Sequence, residues 1–261
     1  MVDFTRERTE NGVVERLFDL TVNGERVPAV LWSPEGAKGE RPLILMGHGG
    51  SQHKKIGTLA ARARQYAQRQ GYAVLAIDAP GHGDRISREQ AAKLAAEVGA
   101  RVRGEPGTSF SADMLKTMAE RTQKAVPEWK AALDAVQTLA FVGRHERVGY
   151  WGVSMGTAIG IPFVASEPRI KCAVFGLAGL RSGQTAFENA AKAISIPLEF
   201  VFQWEDAVAP RESGIALFNA FGSAEKTMHI NPGAHIAIPN FEGASWERFF
   251  VRHLGTAAGG A

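Results

Sequence analysis

The chain has 261 residues and is 45% hydrophobic, enough to bury one sizeable core but not a second independent domain beside it. Thirty basic residues against twenty-seven acidic ones leave a formal charge of +3, and the charges are scattered, so no basic stripe marks nucleic acid as a partner. The lone Cys172 excludes an internal disulfide framework and a multi-cysteine metal site, and within the apolar run 170–175 it reads as a buried structural thiol.

The first ten residues alternate in charge and lack the apolar stretch of a secretory signal. No later run is long and apolar enough to span a membrane, so a cytoplasmic chain with no membrane span is expected. Two short alternating segments, 17–20 and 26–32, flank the turn dipeptide Asn23-Gly24 and predict an N-terminal β-hairpin. From Pro42 onward the pattern changes to continuous apolar runs: 43–46, 72–77, 148–151, 170–175, 198–202 and 228–230. Runs apolar on both faces suit buried parallel strands. Between the first two, Leu59, Ala63, Tyr66 and Ala67 share a helical face, and Gly71 stands where a C-terminal helix cap belongs.

The whole predicts an α/β fold with a mostly parallel sheet on the scale of eight strands, covered by helices on both faces. One domain is expected over 1–254, followed by a flexible Gly/Ala-rich tail at 255–261. The stretch 84–144 carries no strand signal and is longer than one crossover helix needs. One or two extra helices are expected there, near the mouth of any site at the strand ends.

The segment Val148 to Gly156 reads as a strand, a sharp turn and then small residues opening a helix, with Ser154 between Gly152 and Gly156. That is the setting of a Gly-x-Ser-x-Gly nucleophile elbow, in which flanking glycines leave room for a strained turn. Pro162 falls inside the helix that should follow and predicts a kinked or short one. A serine hydroxyl is a poor nucleophile unless a base takes its proton, an acid orients that base, and donors await the oxyanion. With this elbow the order along the chain is serine, acid, histidine. Asp206 is the one aspartate after Ser154, with Glu205 its rival. Of the later histidines, His229 lies inside a predicted strand and His253 in a C-terminal helix, whereas His235 follows the loop signal Asn231-Pro232-Gly233 and is the candidate base.

The oxyanion donors expected are the backbone N–H groups of Met155 and of Gly50, with Ser51 the alternative, because His48-Gly49-Gly50-Ser51 follows an early strand. His48 is read as structural. His53, Phe110, Met114 and Trp204 are the candidate substrate-binding residues. The segment Asp78 to Arg85, rich in Gly and Pro, is read as a wall of the mouth and not as a metal site. No metal and no cofactor are expected.

Taken together, His48-Gly49-Gly50, Asp78-x-Pro80-Gly81-His82-Gly83, Gly152 to Gly156, Asp206 and His235 resemble the α/β-hydrolases. The likeness is greatest to dienelactone-hydrolase-like and prolyl-oligopeptidase-like esterases, over residues 15 to 253. Ala207 to Pro210 resembles the Asp-x-x-(Val/Ala)-Pro loop of that group and favours Asp206 over Glu205. The resemblance implies a serine carboxylesterase acting on small to medium esters through an acyl enzyme; a monomer or homodimer is expected. The alternatives are a peptidase, a thioesterase, a cofactor-free perhydrolase, or a non-catalytic ligand-binding protein on the same fold. Dienelactone hydrolases proper carry cysteine where this chain has Ser154. Only about twenty residues, 178–197, are available at the place where a large cap would sit.

Overall fold

The computed structural model describes residues 2–144 and 147–257. Three N-terminal strands, β1 (Phe4–Glu10), β2 (Val13–Val22) and β3 (Glu25–Pro34), form an antiparallel meander. Both its turns, Asn11-Gly12 and Asn23-Gly24, hold both residues at positive φ, the conformation whose twist matches a two-residue hairpin. The sheet continues through β4 (Leu43–Gly47), β5 (Ala73–Ile77), β6 (Val148–Gly152), β7 (Ile170–Gly176), β8 (Leu198–Gln203) and β9 (Lys226–Asn231). The spatial order is β1-β2-β3-β5-β4-β6-β7-β8-β9, with every pairing from β5 to β9 parallel.

Among the described residues the sheet thus has nine strands, one beyond the eight-strand scale expected. The added strand is β1, at an edge and mostly exposed. Strands β4, β5, β6 and β8 are buried at every position, which explains the apolar runs of β4, β5 and β6 and of residues 200–202 in β8.

Two helices, α1 (Gly57–Gln70) and α7 (Glu242–Leu254), cover one face through Leu59, Ala63, Tyr66, Trp246 and Phe250. Gly71 ends α1 at φ 70°, as a left-handed cap requires. The other face packs under α3 (Ala112–Val136), α4 (Met155–Ala165), α5 (Thr185–Ala193) and α6 (Arg211–Ala220).

Between β5 and β6 the chain makes α2 (Arg88–Val102) and then α3, separated by the break at Gly104 to Gly107. Ser87 caps α2 with a reciprocal Ser87–Gln90 box, yet α2 buries no residue fully, so it lies on the surface as a thin cover. Pro162 sits inside the eleven-residue α4, which ends three residues later, and Pro127 interrupts the donor ladder of α3 in the same way.

Residues 255–257 are not a free tail. Ala257 is buried and donates its N–H to the Gln70 carbonyl at 3.1 Å, and Tyr72 Oη donates to the Gly255 carbonyl at 2.6 Å. The remainder of the expected tail, 258–261, lies outside the described residues. No helix among the described residues is long and apolar enough to cross a membrane.

Candidate active site

The end of β6 runs directly into α4, so the chain must reverse within Gly152 to Gly156. Ser154 takes φ 57° and ψ −119°, a backbone region that costs a residue with a side chain on the order of 1–3 kcal/mol. Surrounding contacts hold it there. The Ser154 N–H donates to the Gly176 carbonyl at 2.8 Å. Thr157 Oγ1 lies 2.7 and 2.8 Å from the carbonyls of Gly176 and Gly152 and accepts the Gly176 N–H at 2.8 Å, locking α4 to the ends of β6 and β7. A Cβ on Gly156 would come within 2.6 Å of the Gly47 carbonyl oxygen, so the crossing of α4 over β4 requires glycine.

Ser154 Oγ stands 2.9 Å from His235 Nε2, and His235 Nδ1 stands 2.7 Å from Asp206 Oδ2. His235 and Asp206 are both buried. The loop after β8 turns on Asp206, whose Oδ1 accepts the N–H groups of Val208 at 2.8 Å and Ala209 at 2.9 Å. The loop after β9 is tied to it by Gln203, whose Nε2 donates to the carbonyls of Pro232 and Ala237. Glu205, the rival acid, is turned away from the imidazole and accepts the Gly233 N–H, fastening the same loop from outside. Three residues on loops after β6, β8 and β9 thus meet at one edge of the sheet.

Ser154 and His235 line a cavity of about 1050 Å³ whose walls also include Gly50, Met155, Phe110, Met114, Pro80 and His82. The Met155 N–H belongs to the first turn of α4, where amides have no acceptor inside the helix. Ser51, the alternative donor, does not line this cavity and holds φ 59°.

Two of the four candidate substrate contacts are elsewhere. Trp204 is 42% exposed and stacks under the Arg211 guanidinium, and His53 is not in the cavity wall, its Nδ1 accepting the Lys55 N–H. Both are near the site in sequence but stand outside the cavity wall. The sequence reading missed two arginines: Arg101 and Arg181 place their guanidinium carbons 4.4 and 4.2 Å from the Phe110 ring centroid, and both line the cavity. Burial, then the field of Arg101, lowers the Arg181 pKa, and its Nη2 donates to the Val208 carbonyl at 2.7 Å.

The His48 to Arg85 side of the site rests on buried polar groups. His48 Nε2 accepts the Ala79 N–H at 3.0 Å, so its Nδ1 carries the hydrogen and donates to the Gly49 carbonyl at 2.9 Å. Burial pushes the His48 pKa down to about 4, and the buried His82 is also lowered. Lys54, which no sequence signal marked, is buried with its Nζ 2.7 Å from Asp78 Oδ2 and 2.6 Å from Asp84 Oδ2. Its ammonium holds the Asp84 carboxyl below the usual range. Asp78, Lys54 and Asp84 thus brace the wall segment internally.

A cold-adapted esterase from an Arctic intertidal metagenomic library is 31% identical to this chain, superimposes with a TM-score of 0.76, and is matched over 97% of this chain and 99% of its own. The chain belongs to the α/β-hydrolase esterases. The acetyl xylan esterase of Paenibacillus sp. R4 shares the fold of this α/β-hydrolase at 16% identity, with a TM-score of 0.73 over 97% of this chain and 88% of that one. The Bacillus subtilis protein YtaP, named as a hydrolase, is 30% identical over 179 residues, 64% of this chain. The match spans about half, 53%, of that curated relative's length. No protein-family model matches the chain.

Proposed function

We propose that this α/β-hydrolase cleaves carboxylic esters through an acyl enzyme on Ser154. The observation that carries the reading is the unbroken line Ser154 Oγ, His235 Nε2, His235 Nδ1, Asp206 Oδ2, with spacings of 2.9 and 2.7 Å, opening onto the cavity. With Asp206 ionised, His235 carries its hydrogen on Nδ1 and leaves Nε2 free to accept the Ser154 proton. Ser154 Oγ then attacks the ester carbonyl, and the resulting oxyanion takes hydrogen bonds from the Met155 and Gly50 N–H groups. His235 returns the proton to the departing alcohol. Water, deprotonated by the same nitrogen, attacks the acyl enzyme and frees the acid and Ser154.

The cavity lies just above the range of about 300–1,000 Å³ typical of small-molecule sites, which leaves room for esters with bulky groups. The test is hydrolysis of p-nitrophenyl butyrate by the Ser154→Ala variant. A fall of about 10⁴-fold or more with an unchanged melting temperature is expected, and undiminished hydrolysis would overturn the mechanism.

A further inference from the structure

We propose that Glu199, His229 and Glu242 form a binding site for a divalent first-row transition-metal cation of the zinc class, on the face of the sheet covered by α7. None of the three lines the Ser154 cavity, and the proposal does not depend on the hydrolytic reading.

The topology assembles this site from three distant points of the sequence. β8 and β9 are parallel neighbours in which Val201 pairs with His229, so the alternating residues Glu199 and His229 reach the same face. Glu242 opens α7 above them. His229 Nδ1 lies 2.8 Å from Glu242 Oε2 and 3.4 Å from Glu199 Oε1, and the three donor atoms all fall within 4.8 Å of one another. A tetrahedral cation bound at about 2.0–2.2 Å places its ligand atoms roughly 3.4 Å apart, which the His229–Glu199 spacing already meets and the His229–Glu242 spacing meets on opening by about half an ångström.

The outer contacts are already those of a ligand set. Glu242 Oε1 accepts from Asn231 Nδ2 at 2.8 Å, and Ser245 Oγ reaches Glu199 Oε2 at 3.4 Å. Each carboxylate is thereby held by one oxygen while the other faces the imidazole, the arrangement in which outer-shell bonds orient metal ligands. Glu199 Oε1 has no hydrogen-bond partner although the residue is only 4% exposed. A buried carboxylate oxygen with no hydrogen-bond partner is costly, and a divalent cation supplies that partner. One imidazole with two carboxylates suits zinc, manganese or ferrous iron, and the His229 side chain, one-third exposed, leaves an approach for a completing water.

The untagged full chain, stripped with EDTA and dialysed, is titrated with zinc chloride by calorimetry and followed by NMR of the histidine rings. One saturable equivalent is expected, shifting the His229 ring resonances and leaving those of His235 in place. Glu199→Gln and His229→Ala are each expected to weaken the binding at least tenfold. The ring shifts are read on the parent chain and so need no variant to fold. Absence of a saturable equivalent, shifts at His235 instead of His229, or unchanged affinity in both folded variants would overturn the site.

Discussion

The Tyr150 hydroxyl donates to the Gly156 carbonyl at 2.7 Å, so a buried phenol on β6 is anchored to the first turn of the helix that begins beside Ser154. The ring occupies the volume that side chains at Gly47 and Gly160 would need. Glycine at position 160 is therefore a packing requirement inside a helix that would otherwise favour alanine.

Gly160→Ala sets two opposed effects against each other. Alanine gains about 1 kcal/mol in helix propensity, whereas its Cβ would overlap the Tyr150 ring, and overpacking of this kind costs about 1–3 kcal/mol. The ring is fully buried and cannot swing away, so net destabilisation of up to about 2 kcal/mol is expected, read as a lower urea midpoint. A more stable variant would contradict this packing.

Asp206→Asn keeps the shape of the loop but replaces the acceptor facing His235 Nδ1 with a group that can donate, favouring the wrong tautomer. The expected result is a fall in kcat of about 10³–10⁴-fold with little change in KM. Glu205→Gln, altering a side chain that holds only the Gly233 N–H, should leave kcat within a few fold. Steady-state kinetics on the two variants separate the two carboxylates.

Lys54→Met removes the side-chain cation that pairs with the fully buried Asp78 among the described residues. Asp78 keeps the N–H groups of Lys54 and Asp84, which lessens the penalty. A loss of about 3 kcal/mol by urea unfolding is expected, near the lower end for breaking a buried pair. A loss below 1 kcal/mol would show that the cluster does not brace the wall.

His48 gives stability a pH dependence of defined sign. Its folded pKa is about 4 because burial disfavours the charged ring, while the unfolded chain titrates near 6.5. Between those values the unfolded state binds the additional proton, so this histidine's contribution is complete above pH 6.5 and is lost as pH falls toward 4. Its NMR resonance should not titrate above about pH 5. A midpoint near 6.5 would place the imidazole in solvent.

What could be read along the chain was whatever depends on near neighbours. Runs apolar on both faces marked the central strands, Asn23-Gly24 marked a hairpin, and the glycines about Ser154 marked the turn from strand to helix. Asp206 and His235 were reached from chain order and loop signals, and they stand in one hydrogen-bonded line with Ser154. β1 escaped because Arg6, Glu7 and Arg8 lie on an exposed edge with no apolar period, although Asn11-Gly12 is the same turn signal as Asn23-Gly24. Trp204 and His53 misled because nearness along a loop does not fix which way a side chain points. Lys54 with Asp78, the two arginines on Phe110, and Glu199 with His229 and Glu242 depend on strand order and helix placement, which no local pattern encodes.

The most direct test of the central claim is where a covalent trap lands. A fluorophosphonate forms a stable adduct with a serine made nucleophilic by a neighbouring base. Intact-mass and peptide mass spectrometry should find one adduct per chain, on the peptide holding Ser154, and none on Ser154→Ala. A stoichiometric adduct on another residue, or an unmodified chain under conditions where it hydrolyses esters, would contradict the account.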